Sequence, residues 1–140
     1  MSDSPALRTP HDTATLAGGS AMPLLGFGTW QIKGDEARTA TEAALEAGYR
    51  HIDTAKLYGN EDGVGAAVKA SGLDRDQVFV TSKVWNDDQG YDQTLRAFDA
   101  TMAELGFDVL DLYLIHWPVP SQGRAADTWR AMEKLYHDGR

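Results

Sequence analysis

Four side chains that can carry out acid–base chemistry come at or just after the ends of apolar segments in the sequence. They are Asp53, Tyr58, Lys83 and His116. Taken singly, each has an ordinary structural explanation: an aspartate often forms a turn, a lysine often keeps its charged end in solvent, and a histidine or tyrosine often packs in a loop. Taken together, they could donate a proton to a carbonyl oxygen, provided that the fold brings them to one place.

The electrostatics of such a set favour the tyrosine as the acid. A lysine in apolar surroundings needs a counter-ion to remain charged, and Asp53 is the candidate partner for Lys83. The charge of Lys83 would stabilise a tyrosinate and so make the phenol of Tyr58 a stronger acid, closer to the range in which general-acid catalysis is effective. A neutral His116 could orient or polarise the carbonyl group by donating from one ring nitrogen.

The segments that would position these residues alternate between strand-like and helix-like patterns. The strand-like segments are residues 24–28, 49–54, 78–84 and 109–115. Each is followed by a helical pattern with its own predicted apolar face. The first face, in residues 35–47, has Ala37, Ala40, Ala44 and Ala47, and the second, after an N-cap at Asn60, has Val64, Ala67 and Val68. The third has Leu95, Phe98, Met102 and Leu105, and the fourth has Trp129, Met132, Leu135 and Tyr136. Four strand–helix units in series predict a parallel sheet covered by helices.

The number of units decides which α/β fold this is. A complete (β/α)8 TIM barrel takes about 250 residues, whereas this chain has 140. We therefore expect an α/β chain of the TIM-barrel class with only the first four βα units, a half barrel that stops before a fifth strand. Reactive groups in such barrels lie where the strands end. Strand alternation puts Lys83 on one face with Thr81 and Phe79, and His116 on one face with Leu114, Leu112 and Leu110, so both could point inward.

The N-terminal region is predicted to differ from the repeating units. Residues 1–12 are polar and without periodicity, and we expect a disordered tail there. Residues 13–23 contain a Gly18-Gly19 turn between two short strand-like runs and predict a hairpin that acts as a lid or plug. Residues 13–140 then form the half barrel.

Composition excludes several other classes of protein. The chain has 13 Lys and Arg against 21 Asp and Glu, a formal net charge of -8, and no cysteine. Without a basic cluster, neither nucleic acid nor a membrane surface is an expected partner. Because the chain has no cysteine, it can form neither disulfides nor thiolate metal sites, and we expect no metal site. No apolar run approaches the length of a membrane span. We therefore expect a cytoplasmic protein.

Three stretches of the sequence resemble the aldo-keto reductase family. Residues 48–55 (GYRHIDTA), followed by Tyr58-Gly59-Asn60-Glu61 and Val64-Gly65, match its first signature, and residues 81–85 (TSKVW) and 111–118 (DLYLIHWP) match two others. The resemblance extends from about residue 13 to the last residue. It implies NADPH-dependent reduction of an aldehyde or ketone to an alcohol, with a small-molecule carbonyl compound as substrate.

The resemblance also implies residue roles. Tyr58 would be the proton donor, Lys83 would promote its acidity, Asp53 would pair with Lys83, and His116 would contact the substrate oxygen. The cofactor would lie near Gly28, Thr29, Trp30 and Asp53, and substrate would meet Trp30, Tyr58, Trp85, His116 and Trp117. For the tryptophans, ordinary packing between a loop and the barrel rim is the alternative.

The sequence departs from the family in what is absent. The family's later strands and loops, which hold most of the cofactor, have no counterpart here, and no G-x-G-x-x-G motif replaces them. We therefore expect an inactive fragment of a reductase. A half barrel would leave open edges and an inner face of Leu110, Leu112 and Phe79, through which copies could self-associate.

The sequence leaves two other functions open. The chain could be a non-catalytic cofactor-sensing or assembly partner that kept the fold. Alternatively, Lys83 could form a Schiff base in a lyase, although pairing with Asp53 would keep it charged and so oppose nucleophilic attack.

Overall fold

The computed structural model describes residues 9–140, in which strands and helices alternate after an N-terminal hairpin. The strands are β1 (Thr13–Thr15), β2 (Ala21–Pro23), β3 (Phe27–Gly28), β4 (His51–Asp53), β5 (Phe79–Val84) and β6 (Leu112–Ile115), and the α-helices are α1 (Asp35–Glu46), α2 (Glu61–Ala70), α3 (Tyr91–Leu105) and α4 (Ala125–His137). Short 3₁₀ turns occupy Lys56–Tyr58, Arg75–Gln77, Asn86–Asp88 and Pro120–Gln122. The βα order predicted from the sequence is confirmed.

The predicted tail is described only in part. Residues 1–8 lie outside the described residues. Thr9 to Asp12 form a turn, in which the Thr9 hydroxyl donates to the Asp12 carboxylate at 2.6 Å and the Asp12 amide donates to the Thr9 carbonyl at 3.2 Å. The Leu24 amide donates to the Asp12 carbonyl at 2.9 Å, which ties this turn to the far side of the hairpin.

Four parallel strands form one sheet in chain order, β3-β4-β5-β6. Each neighbouring pair is joined by a helix, as a parallel arrangement requires. Asp53 is in register with Thr81, and Thr81 with Leu112, so the carboxyl ends of the strands meet at one rim. This sheet confirms the α/β class and the half barrel.

The main core lies between the sheet and the helices. Ile52 of β4, Val80 of β5 and Val78, which directly precedes β5, pack there against helix residues such as Phe98 and Leu105. Leu110 belongs to this cluster and is buried. The expectation that Leu110 lies on the open inner face is therefore wrong, because β6 begins two residues later and strand alternation does not extend back to Leu110.

Two helices bury a face that agrees only in part with the predicted one. In α1 the buried residues are Ala37, Thr41, Ala44 and Leu45, and Ala47 is exposed beyond the helix end. In α4 they are Thr128, Ala131 and Leu135, whereas Trp129 and Tyr136 are 58% and 70% exposed. Large aromatic residues misled the prediction for α4, because close helix packing selects small side chains at the contact.

The hairpin is a plug at the amino ends of the strands rather than a lid over their carboxyl ends. β1 and β2 pair in antiparallel fashion around a turn that includes Gly19, whose φ is 89°. Nδ1 of His51, at the start of β4, lies 3.2 Å from the carbonyl oxygen of Pro23. A cleft of about 290 Å³ lies at this end of the sheet, away from the four acid–base residues. Among the described helices, none is both long and apolar enough to cross a lipid bilayer.

Helix α2 packs so closely on the end of α3 that Gly65 has no room for a side chain. A Cβ atom at Gly65 would overlap the carbonyl group of Leu105, lying 2.6 Å from its carbon. Gly63, also in α2, is less restricted, because a Cβ there would lie 3.1 Å from the Arg38 nitrogen and 3.2 Å from Cβ of Ala37. The close approach of backbone to backbone at Gly65 fixes the distance between α2 and α3.

We therefore expect Gly65→Ala to destabilise the chain far more than Gly63→Ala. Both changes gain about 1 kcal/mol of helix propensity, so their difference reports the clash. Overpacking of this kind costs about 1–3 kcal/mol, and we expect Gly65→Ala to be lower in unfolding free energy than Gly63→Ala by at least about 2 kcal/mol. Urea unfolding followed by circular dichroism measures both, and equal stabilities would contradict the packing described.

Candidate active site

Lys83 and Asp53 form an ion pair at the carboxyl ends of β5 and β4. Nζ of Lys83 donates to Oδ1 of Asp53 and, at 2.9 Å, to the carbonyl oxygen of Thr54. The Lys83 side chain is 13% exposed and that of Asp53 is 38% exposed. Because the register aligns Asp53 with Thr81, Lys83 lies one pleat further along the same face and reaches the carboxylate directly. The ammonium is thus held at the rim with two acceptors.

Tyr58 is brought to this ion pair by a short turn. Lys56–Tyr58 is a single 3₁₀ turn that ends at Gly59, whose φ is 63°. A left-handed residue is tolerated best when it is glycine, and it turns the chain sharply into α2. Nζ of Lys83 lies 5.3 Å from the centre of the Tyr58 ring. The turn therefore brings the phenol ring beside the Lys83 ammonium.

His116 completes the group from the next strand. Its backbone amide donates to the carbonyl of Val84 at 3.2 Å, which extends the pairing of β5 and β6 by one residue. Its ring lies edge-on to the rings of Tyr58 and Trp85, with centroid distances of 5.7 Å and 5.3 Å. Nδ1 of His116 is buried and has no hydrogen-bond partner within residues 9–140.

The surroundings of His116 favour its neutral form. Burial lowers the pKa of His116 and the nearby Lys83 ammonium lowers it further, while Asp53 opposes them. A neutral imidazole has one donor and one acceptor nitrogen, so it can donate a hydrogen bond to a carbonyl oxygen without carrying a charge. The structure thus brings together all four acid–base residues singled out in the sequence.

Three tryptophans surround the group. Trp30 lies against Tyr58 with ring centroids 4.9 Å apart, and Trp117 stacks parallel to His116 at 6.3 Å. Trp30 and Trp117 are 55% and 58% exposed, and Trp85 is partly buried. Large aromatic faces left open to solvent beside polar groups are typical of a binding surface.

Gly28 and Thr29, which precede Trp30, are placed differently from one another. A Cβ at Gly28 would meet no atom within 4 Å, so this backbone faces open space. Thr29 is fully buried, and its hydroxyl is 3.4 Å from both the Asp53 carbonyl and Oδ1 of Asn60. Thr29 therefore holds the loop to the body of the protein and does not face the rim.

Three buried polar residues beside the site were not singled out from the sequence as functional. Asn60 and Gln89 are buried amides, and Gln89 donates to the Trp117 carbonyl at 2.5 Å. Glu61 is a buried carboxylate that accepts hydrogen bonds from Ser82 at 2.5 Å and Thr101 at 3.3 Å. Burial raises the pKa of Glu61, and the two hydroxyl donors oppose that shift. Glu61 and Asn60 stand in the stretch that carries the family resemblance, but nothing in that pattern shows their partners.

No metal site accompanies these groups in the part of the chain that is described. Residues 9–140 contain no cluster of three or more His, Asp or Glu side chains placed to bind an ion.

The neutral state of His116 predicts a pH dependence that NMR can measure. Since its folded-state pKa is below the unfolded value of about 6.5, His116 contributes stability that is fully present above that pH and is lost as the pH falls through the folded-state pKa. We expect its imidazole resonance, assigned with His116→Gln, to titrate below the usual value. Lys83→Met should move the midpoint only part of the way back, because burial is the larger cause. A wild-type midpoint at or above the usual value would contradict this description.

The chain is similar to known proteins both in sequence and in structure. The model of the Aldo/keto reductase family matches residues 24–140. Glyoxal reductase of Bacillus subtilis (strain 168) is 52% identical over 130 residues, which are 92% of this chain and 46% of that protein. The crystal structure of an aldo/keto reductase from Brucella melitensis has a TM-score of 0.88 and 55% identity over 91% of this chain and 50% of that one. A variant of Gox0644 in complex with NADPH has a TM-score of 0.83 and 41% identity over 91% of this chain and 45% of that one.

These matches agree with the parallel sheet and with the acid–base residues at its rim. The chain spans about half the length of the curated relatives that it matches. The family model covers far more than half of the chain itself, from the start of the first βα unit to the last residue. The chain therefore belongs to the aldo/keto reductase family.

Proposed function

We propose that this chain supplies the acid–base half of an NADPH-dependent reductase that converts aldehydes or ketones to alcohols. The observation that carries the proposal is the Lys83–Asp53 ion pair, which lies beside the Tyr58 ring where that ring meets His116. Family membership supports the reaction class, and the NADPH complex of the Gox0644 variant supports the cofactor.

In this proposal Tyr58 donates the proton. The carbonyl oxygen of the substrate gains electron density as it is reduced, and the Tyr58 hydroxyl transfers its proton to that oxygen. Lys83 stabilises the phenolate that remains, because its ammonium is close to the ring and is poorly hydrated. Asp53 is a positioning residue, since its carboxylate binds that ammonium and directs it at the rim.

His116 orients the substrate. Its depressed pKa keeps the ring neutral at physiological pH. A neutral ring can donate one hydrogen bond to the substrate oxygen without competing with Tyr58 as a proton donor. Trp85 and Trp117, which contact the His116 ring, form apolar walls beside that oxygen.

The residues around the rim fit a nicotinamide cofactor. When bound, NADPH supplies a hydride to the carbonyl carbon. Open space beside Gly28 lets a flat ligand approach the backbone, and the exposed face of Trp30 offers a surface for it, while Asp53 keeps part of its carboxylate accessible. Thr29 would act through the loop, because its own side chain is turned inward.

Small aldehydes are the substrate class we propose. The Bacillus subtilis relative, a glyoxal reductase, is 52% identical to this chain over 130 residues. In this proposal Tyr58 and His116 of this chain contact the oxygen of the aldehyde. The second half of the rim would add further contacts that determine which aldehyde binds.

Turnover in this proposal requires a second half barrel. The chain covers 44–46% of the first curated relatives. Half a rim leaves the reacting groups open to water, which weakens the electrostatic effects on which Tyr58 depends. The second half could come from further residues of the same protein or from another copy of this chain.

A Schiff-base lyase is a weaker alternative. Lys83 would have to lose its proton to attack a carbonyl carbon. Its contacts with the Asp53 carboxylate and the Thr54 carbonyl stabilise the protonated ammonium instead.

A chimera tests the reductase proposal. This chain replaces the matched segment of Bacillus subtilis glyoxal reductase, and NADPH oxidation with glyoxal is measured. We expect turnover in the chimera and a loss of at least about 100-fold in kcat for Tyr58→Phe, the usual scale of a general acid, with NADPH affinity retained. Tyr136→Phe, an exposed tyrosine at the far end of α4, is the matched control and should retain full activity.

The outcomes separate the alternatives. Tyr58→Phe with undiminished kcat would remove Tyr58 as the proton donor. A folded chimera that binds NADPH but never turns over, with any aldehyde tried, would favour the non-catalytic role. The 140-residue chain measured alone should be inactive, and sedimentation shows whether two copies associate; activity of the isolated monomer would contradict the need for a second half.

A further inference from the structure

The side chain of Asn60 uses all of its hydrogen-bonding capacity inside the protein. Its Nδ2 donates to the carbonyl oxygens of Thr29 at 2.9 Å and Ile32 at 2.7 Å. Its Oδ1 accepts from the hydroxyls of Thr54 at 2.9 Å and Thr29 at 3.4 Å. Asn60 is 1% exposed. A buried amide with both donors and both acceptor positions satisfied is rigid and costly to disturb.

These bonds join the loop that carries Trp30 to the turn that carries Tyr58. The two carbonyls held by Nδ2 belong to residues on either side of Trp30, and Asn60 itself follows Tyr58 by two residues. Between those carbonyls, Gln31 has a φ of 63°, a left-handed conformation that is strained for a residue other than glycine. Such a conformation persists only when its surroundings hold it in place. Asn60 supplies that hold from beneath the loop.

Capping of α2 does not explain this side chain. Asn60 stands at the N-cap position of α2, as the sequence predicts, but its side chain makes no capping hydrogen bond there. Asparagine at an N-cap usually binds a backbone amide of the first turn. Here the amide group is turned away from the helix and toward the loop.

We propose that Asn60 is a positioning residue that holds Trp30 against Tyr58 by binding the carbonyls of Thr29 and Ile32. The Trp30 and Tyr58 rings are 4.9 Å apart, so a shift of the loop would change the surroundings of the phenol and the open face of Trp30 together. The functional meaning of this placement rests on the proposed reductase function. The placement itself does not, and it can be tested without any turnover.

The test replaces Asn60 by aspartate in the 140-residue chain. Asn60→Asp keeps the size of the side chain, and aspartate is well accepted at an N-cap position, but the change replaces the donor by an oxygen that repels both carbonyls. The chain is labelled with 5-fluorotryptophan, and the resonances of its four tryptophans are assigned with single Trp→Phe variants. We expect the ¹⁹F resonance of Trp30 to move and broaden while that of Trp129, on α4, does not change.

A second buried amide provides the matched control. Gln89 is as buried as Asn60, but it binds the carbonyl of Trp117. Gln89→Glu makes the same chemical change and should disturb the resonance of Trp117 and leave that of Trp30 in place. Thr54→Val is a milder second variant, because it removes only the hydroxyl that orients Oδ1 of Asn60. It should move the Trp30 resonance in the same direction and by less, and it serves if Asn60→Asp does not fold.

Three results would overturn the proposal. The first is a Trp30 resonance that is unchanged in both Asn60→Asp and Thr54→Val. The second is a Trp30 resonance that Gln89→Glu disturbs as much as Asn60→Asp does. The third is a Trp30 resonance that is the same in Tyr58→Leu as in the wild type. The last result would mean that Trp30 is not held against Tyr58 at all. None of these readouts involves NADPH or an aldehyde, so failure of this proposal and failure of the reductase proposal are distinguishable.

Discussion

Placing the charge of Lys83 at the rim of a parallel sheet is the constraint around which the site is built. An ammonium taken from water without a partner costs several kcal/mol, and here it is 13% exposed. Asp53 and the Thr54 carbonyl compensate for that loss, and both come from the end of the neighbouring strand. The Lys83 ammonium therefore has its partners only when β4 and β5 pair in parallel. Its charge in turn forms part of the surroundings of Tyr58 and His116.

Neighbouring residues on β5 are anchored in opposite directions. Ser82 points to the helix side, where its hydroxyl donates to the buried carboxylate of Glu61. Lys83 points to the rim. Because successive side chains alternate across a strand, a rotation of β5 that improved one contact would break the other. Glu61 also accepts from Thr101 of α3, so the orientation of the lysine is coupled to the packing of two helices.

Much of the fold and the acid–base set could be predicted from the sequence because both depend on local patterns. Alternation of apolar strands with helical spacing gives the βα order, and the four reactive residues stand at strand ends where parallel topology gathers them. The predicted face of α4 is partly wrong because amphipathic spacing favours Trp129 and Tyr136, whereas the side chains that this helix buries include the small residues Thr128 and Ala131. The role of Asn60 was also missed, since its partners at Thr29 and Ile32 are about 30 residues away and are backbone carbonyls, which carry no sequence signal.

The open side of the half barrel bears directly on its chemistry. β3 and β6 are the outer strands of the described sheet, and Leu114 on β6 is 37% exposed on the same face as Lys83. An unpaired edge beside an exposed leucine is a surface that proteins normally cover. Covering it with four more strands would bury Leu114 and enclose the rim around Tyr58 and His116, which would lower the local dielectric and strengthen the electrostatic contacts made there. In the proposed reductase, the closure that stabilises the sheet would thus also strengthen the electrostatic contacts on which catalysis depends.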